Sequence, residues 1–258
     1  MMNDRNLLKR PNKNKINNPR KYYWLYGYHA VQSALNNPVR KIECLLATPS
    51  AIEGLGTLPT TSPEPKLVLP SDLSSLLPVG AIHQGVVAKA FALPAISLEQ
   101  IFSTLQTKQD YPILVLDQVT DPRNVGAILR SAAAFRSPAI IMQERHAPTE
   151  SGAMAKAASG ALDLVPIVRV TNLSRTLKKL ASEGYWIVGL DHDGPTPLSD
   201  SPINEPVVLV LGAEGQGLRR LTRQRCNILL KIDIEKTIGS LNVSISAAIA
   251  LYELSRRR

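Results

Sequence analysis

The sequence predicts an α/β fold in which a C-terminal domain built on a parallel sheet follows a small α/β domain. Three observations carry this. From residue 111 onward, short and nearly continuous apolar runs alternate with helical stretches, the pattern of a parallel sheet covered on both faces. Upstream, residues 22–90 hold shorter strand and helix patterns of mixed kind. The 258 residues, 44% hydrophobic and 20% charged, supply a core for one large domain or two modest ones.

Residues 1–21 open the chain with Arg5, Lys9, Arg10, Lys13, Lys15, Arg20 and Lys21 against Asp4 alone. That is +6 of the net +9, which leaves +3 for everything else. Rich in Asn and without alternating hydrophobicity, this head reads as a solvated, disordered basic arm. It is either a solubilising tail or a segment that tracks phosphates, gaining affinity by releasing counterions from nucleic acid. Within 22–90, residues 26–35 (YGYHAVQSAL) predict a helix after Gly27, and 42–46 and 67–69 predict strands. Ser71 and Asp72 cap a short helix that ends at Leu77, and 83–90 gives a last strand. Residues 48–65, rich in Pro, Gly, Ser and Thr, read as a mobile loop. Residues 91–110 read as a linker with a short helix over 98–105.

In the C-terminal domain, residues 111–258, strands are predicted at 113–119, 139–142, 164–168, 186–190, 207–211 and 228–234. Helices are predicted at 126–135, 151–158, 173–183, 219–225 and 242–256. No apolar run approaches the roughly 18 to 20 residues of a membrane span, and the N-terminus lacks the apolar core of a signal peptide. The expectation is a soluble, cytoplasmic protein. Two cysteines, Cys44 and Cys226, cannot build a disulfide framework, and four scattered histidines show no metal-ligand spacing, so no metal is expected. His192, flanked by Asp191 and Asp193 in GLDHDG, reads as a strand-ending turn rather than a catalytic cluster.

Three segments hold candidate chemistry. In DPRNVGAILR, Asp121 and Pro122 suit a helix start. Val125, Ile128, Leu129, Ala132 and Phe135 form a buried stripe, and Arg130 falls roughly 160° from it. Asn124 stands at a strand-to-helix turn, where open parallel sheets place ligands. LGAEGQG follows another apolar strand; its G-x-x-G-x-G spacing is not a dinucleotide fingerprint, and Glu214 favours a cationic or hydrogen-bond-donating ligand over phosphate. GSLNVS leads into the last helix with Ser240, Asn242 and Ser244, more short polar groups than a cap requires. That helix is expected to bury Ile245, Ala248, Ile249 and Tyr252, widened by Ala247, Leu251 and Leu254, as a core helix or a subunit contact.

DPRNVGAILRSAAAF, LVLGAEGQGL and IGSLNVSISAAIALYE, in this order, closely resemble the three motifs of the SpoU family. These are TrmH-type RNA ribose 2′-O-methyltransferases of the SPOUT superfamily. The likeness covers about residues 111–258 and includes KAASGALDLVP at 156–166. Upstream, YGYHAVQSAL and HQGVVA resemble the small L30e-like RNA-binding domain of the bacterial 23S rRNA guanosine methyltransferases in this family. Arg136 stands where the family typically has Gly.

The resemblance implies a deep trefoil knot, S-adenosyl-L-methionine bent within it, and an active site at a homodimer interface. By position it gives Gly212, Ile232 and Leu241 to the cofactor. It gives Arg130 the catalytic role, with Asn124, Glu214, Ser240 and Asn242 around the reacting centre. The family proposal makes Arg130 the base. A guanidinium holds its proton tightly, so that role needs an exceptional local environment, and the favoured alternative is that Arg130 orients and stabilises a developing alkoxide. The implied substrate is RNA: a guanosine of 23S rRNA, with tRNA as the alternative. A non-catalytic RNA-binding or ribosome-assembly protein that keeps the fold is the contrasting class.

Overall fold

The structure, a computed structural model, describes residues 22–105, 111–202 and 206–256; the basic arm lies outside them. The first unit runs β1 (Tyr22–Tyr26), α1 (Tyr28–Asn36), β2 (Ile42–Ala47), α2 (Pro49–Leu55), β3 (Pro65–Leu67), α3 (Pro70–Leu76) and β4 (Val86–Phe91). Its sheet has the order β1-β4-β2-β3, with only β2 and β3 parallel. After α4 (Leu98–Leu105) come β5 (Ile113–Leu116), α5 (Pro122–Ala134), β6 (Ile140–Gln143), α6 (Gly152–Ala158), β7 (Ile167–Val170), α7 (Leu173–Ser182), β8 (Trp186–Leu190) and β9 (Thr196–Pro197). The chain closes with β10 (Val207–Leu211), α8 (Arg220–Arg223), β11 (Ile228–Lys231) and α9 (Val243–Ser255). The second sheet, β7-β6-β5-β10-β8-β11-β9, is parallel throughout.

The strand period decides which helix each residue meets. Leu114 and Leu116 of β5 join the core shared with α5, α6 and α9, while Ile113 and Val115 join that of α4 and α7. β10 divides the same way, with Leu209 and Leu211 on one side and Val208 and Val210 on the other. α5 and α6 touch closely because Gly126 has no side chain: a Cβ there would run into the Met154 carbonyl. α5 ends at Arg136, which adopts φ 57, the left-handed conformation that a helix end usually gives to Gly. Its guanidinium donates to the Tyr111 hydroxyl at 3.0 Å.

Several expectations are corrected. Residues 48–65 are not all loop: Pro49, with its preset φ, starts α2, and Gly56 at φ 67 ends it. The helix after Gly27 begins at Tyr28 as expected, but β1 at Tyr22–Tyr26, paired with β4, was not anticipated. α3 starts at Pro70, where Asp72 accepts the Leu69 N–H at 3.1 Å, and β3 precedes it at 65–67. β7 begins only at Ile167, since 161–163 form a 3-10 turn that leaves Leu164 exposed. β5, α8 and β11 are shorter than expected, and β9 was not anticipated. α9 is turned over: Val243, Ala247, Ala250, Leu251 and Leu254 are buried, while Ile245, Ile249 and Tyr252 are 51%, 37% and 57% exposed. A helix apolar around its whole girth has no preferred face, and the small alanines let it approach α5 most closely.

The two sheets share one apolar core, and a buried ionic network joins them. Arg40, after α1, has no exposed side-chain surface. Its Nε donates to Asp163 at 2.7 Å, and its Nη1 to Glu150 at 2.8 Å, the Phe91 carbonyl at 2.9 Å and the Tyr23 hydroxyl at 3.1 Å. Tyr23 donates in turn to Glu150 at 2.8 Å, and Asn37 to Asp163 at 3.0 Å. Burial, then the Glu150 carboxylate, push the Tyr23 phenol far above its ordinary range. Burial opposes the Arg40 charge, but the Asp163 hydrogen bond and its anionic neighbours more than offset this and raise its pKa. Removing one partner of such a network strands the others without compensation. Arg40→Ala is therefore expected to cost about 3–5 kcal/mol of unfolding free energy. Urea denaturation checks this; a loss below about 1 kcal/mol would show the network to be idle.

Candidate active site

The C-terminal ends of β5, β8, β10 and β11 point into one region, with β10 inserted between β5 and β8. This is the topological switch of the sheet, where the strand order leaves a crevice. Asp117, the residue after β5, is fully buried and accepts the Arg219 Nε–H at 2.6 Å and the Arg219 backbone N–H at 3.1 Å. Its own N–H donates to the Leu211 carbonyl at 2.8 Å. One residue thus grips both ends of the loop 212–218. Within the loop Gly217 N–H donates to the Ala213 carbonyl at 2.9 Å. Gly212 is packed so tightly that a Cβ would meet the backbone of Gly217.

Three side chains from the three motif segments meet above this loop. Asp121 caps α5 by accepting the Arg123 N–H at 2.8 Å, which sets Asn124 in the first turn. Asn124 Nδ2 donates to Glu214 Oε1 at 3.0 Å. Asn242 Nδ2 donates to the same oxygen at 2.5 Å and to Asn124 Oδ1 at 3.0 Å. Val243 N–H adds a third donor to Glu214 Oε1 at 3.3 Å. Asn242 Oδ1 caps α9 by accepting the Ser244 N–H at 2.9 Å and the Ser244 hydroxyl at 2.5 Å. Each amide is oriented by these partners, and Glu214 Oε2 is left without one among the described residues.

The ring stands on the wall between two cavities, since Ala213, Glu214 and Val243 line both. The first, of about 250 Å³, is bounded by Leu190, Asp191 and His192, by 211–215 and Gly217, by Ile232 and Ile234, and by Gly239, Ser240 and Leu241. It therefore gathers Gly212, Ile232, Leu241 and Ser240. Apolar walls with the Glu214 carboxylate suit a ligand that is part apolar and carries positive charge. The second cavity, of about 330 Å³, has Asn124, Gln118, His146 and Gln216 on its walls.

Arg130 is not brought to either cavity of the single chain. It lies exposed two turns further along α5, about 9 Å from Asn124 along the axis, with no ion pair or hydrogen bond among the described residues. The turn at 191–193 places Asp191, His192 and Asp193 ligand atoms within 4.8 Å of one another. Asp191 is committed to Arg223 at 3.2 Å and to the Asp193 N–H at 3.0 Å. The Cys226 thiol is pushed up to about 12 by burial and then by the Asp191 and Asp117 carboxylates, so it is not a nucleophile near neutral pH. Asp117, Arg219 and Gln118 were not singled out in the sequence, and His192, read there as part of a turn, lines the first cavity. An acidic residue closing an apolar strand run was the available signal for Asp117.

Residues 111–252 match the SpoU rRNA Methylase family. The chain belongs to this family. Among relatives of this SpoU chain, the 23S rRNA (guanosine-2′-O-)-methyltransferase RlmB of Photobacterium profundum is 35% identical over 238 residues, covering 91% of this chain and 97% of the relative. The putative TrmH family tRNA/rRNA methyltransferase YacO of Bacillus subtilis is 37% identical over 177 residues, covering 68% and 71%. Among solved structures, the SpoU methyltransferase AviRb of Streptomyces viridochromogenes, in complex with the cofactor AdoMet, superimposes with a TM-score of 0.75 at 25% identity, covering 92% of this chain and 90% of AviRb.

The SpoU loop 212–218 makes a direct prediction. Gly212→Ala drives a methyl group into the Gly217 backbone, and overpacking of this kind costs about 1–3 kcal/mol. Thermal unfolding checks this, and an unchanged midpoint would show that the loop has room to move.

Proposed function

We propose that this chain is an S-adenosyl-L-methionine-dependent methyltransferase that modifies a ribose 2′-hydroxyl of rRNA, at a guanosine of 23S rRNA. The observation that carries this reading is the Asn124–Glu214–Asn242 ring, one residue from each motif segment, standing between two cavities. The name of the P. profundum relative, matched across nearly its whole length, supplies the substrate class. AviRb was solved with AdoMet, and the first cavity here offers the Glu214 carboxylate and apolar walls that fit a sulfonium compound.

The chemistry that a bound S-adenosylmethionine supplies is a methyl group on a sulfonium. The ribose 2′-oxygen bonds to that carbon as the carbon–sulfur bond breaks, the bonding pair returns to sulfur, and the hydroxyl proton passes to water or phosphate. No metal is required, because the leaving group is already good. What the protein must do is position the reactants. Gly212, Ile232 and Leu241 hold the cofactor, and Ser240 lies beside them. Asn124 and Asn242 fix Glu214, whose free Oε2 faces the acceptor hydroxyl. Arg130 steadies the developing negative charge.

The reading includes the family's deep trefoil knot. The return of α9 to α5, past β10 and β8 from its own strand β11, supports it. It also includes an L30e-like role in RNA binding for residues 22–90, and a homodimer in the cytoplasm. Exposed Ile245, Ile249 and Tyr252 on α9 give a second copy an apolar face to cover, and Phe135, just past the end of α5, packs edge-on against Tyr252 with ring centroids 6.3 Å apart. Arg130 on the same α5 then completes a site in the dimer.

Arg130→Ala is expected to leave cofactor affinity within a few fold and lower methylation by about 100-fold or more. Arg130→Lys should rescue poorly, because a point charge does not replace a planar fork. Near-normal turnover of Arg130→Ala on rRNA would sink the assignment. Ile249→Asp should give monomers by light scattering together with loss of methylation, and an active monomer would contradict the dimeric site. Deleting residues 2–21 should flatten the log K against log salt slope for RNA by roughly 2 to 3, with cofactor binding unchanged. An unchanged slope would make the arm a plain solvated tail.

A further inference from the structure

We infer that the second cavity holds the acceptor nucleotide, swung out of its RNA, and that Gln118 and His146 read its base as guanine. The inference rests on the methyl-transfer reading and adds the specificity-determining residues to it. Two non-glycine residues with left-handed backbone, Gln118 at φ 62 and His146 at φ 68, line this one cavity. Such conformations cost about 1–2 kcal/mol for an L-residue. They persist where the surrounding structure enforces them, often at sites of function. Gln118 is half-buried, His146 and Gln216 are exposed, and among the described residues none of the three has a side-chain hydrogen-bond partner, which leaves their polar atoms open to a ligand.

Place and size agree with a nucleotide site. About 330 Å³ lies at the lower end of ligand cavities. Glu214, shared with the first cavity, puts the acceptor beside the cofactor. The polar groups agree with guanine in particular. Its Watson–Crick edge shows donor, donor and acceptor in a row, at N2, N1 and O6. One primary amide satisfies two of the three, and the cavity offers two amides, Gln118 and Gln216, and an imidazole. Adenine shows only two groups on the same edge and leaves one of these side chains unpaired. Single nucleotides recognised in RNA are read in this manner, unstacked and hydrogen-bonded along that edge.

The variants Gln118→Gly and His146→Gly test this, since glycine accepts positive φ without strain. First, the nucleotide methylated by the wild-type protein in 23S rRNA is mapped. Then guanosine, inosine or adenosine is placed at that position in otherwise identical transcripts. The wild-type protein should prefer guanosine by kcat/KM. Each glycine variant should keep its melting temperature or raise it, bind S-adenosylmethionine within about threefold of wild type, and lose preference for guanosine by about tenfold or more. A double variant that is folded, active and as selective as wild type would overturn the inference while leaving the methyl-transfer reading intact. A wild-type protein that methylates no 23S rRNA would overturn that reading and this inference with it.

Discussion

The site depends on a single carboxylate that water cannot reach. Asp117 sits at the end of β5 with no exposed surface, and a bare charge there would carry a large desolvation cost. Arg219, directly after the 212–218 loop, meets it with a side-chain and a backbone N–H. The backbone link from Asp117 to Leu211 ties the start of the loop to the same strand end. A loop with three glycines in six positions would otherwise sample many conformations. Here it is held at both ends.

This clamp explains how an exposed acid becomes an ordered one. Glu214 reaches into solvent, yet three N–H groups converge on one of its oxygens because the loop beneath it is fixed. Asn242 links that order to the helix it caps, so the end of α9, the turn into α5 and the loop after β10 share one set of hydrogen bonds. Disturbing any of them reaches the others. Networks of this kind are worth more than their separate parts when complete, and costly when broken.

The three motif segments, the alternation of strands and helices after residue 111, and the capping roles of Asp121 and Asn242 were legible because they rest on local pattern. Buried parallel strands such as 207–211 are apolar at every position, and helix starts carry their own signals. Features that depend on partners far along the chain were not legible. Arg40 meets carboxylates 110 and 123 residues away, and no spacing rule links them. The buried face of α9 could not be chosen from a helix that is apolar all round. α2 was hidden in a segment whose composition speaks of turns, although Pro49 and Gly56 are its start and stop. Asn124, Glu214, Ser240 and Asn242 were singled out by motif, and the hydrogen bonds between three of them emerge only when the segments are brought together. The position of Arg130, away from both cavities, emerged in the same way.

The Arg40 network has a consequence for how the chain is made. Synthesis delivers the first sheet with its arginine well before Glu150 and Asp163 exist. Until then the charge must stay in water, so the surface of residues 22–91 that will be covered cannot close over it. The early half of the chain therefore waits, partly open, for the late half. Domains are generally expected to fold in turn as they emerge. Here the Arg40 charge finds its buried partners only once Glu150 and Asp163 have been made.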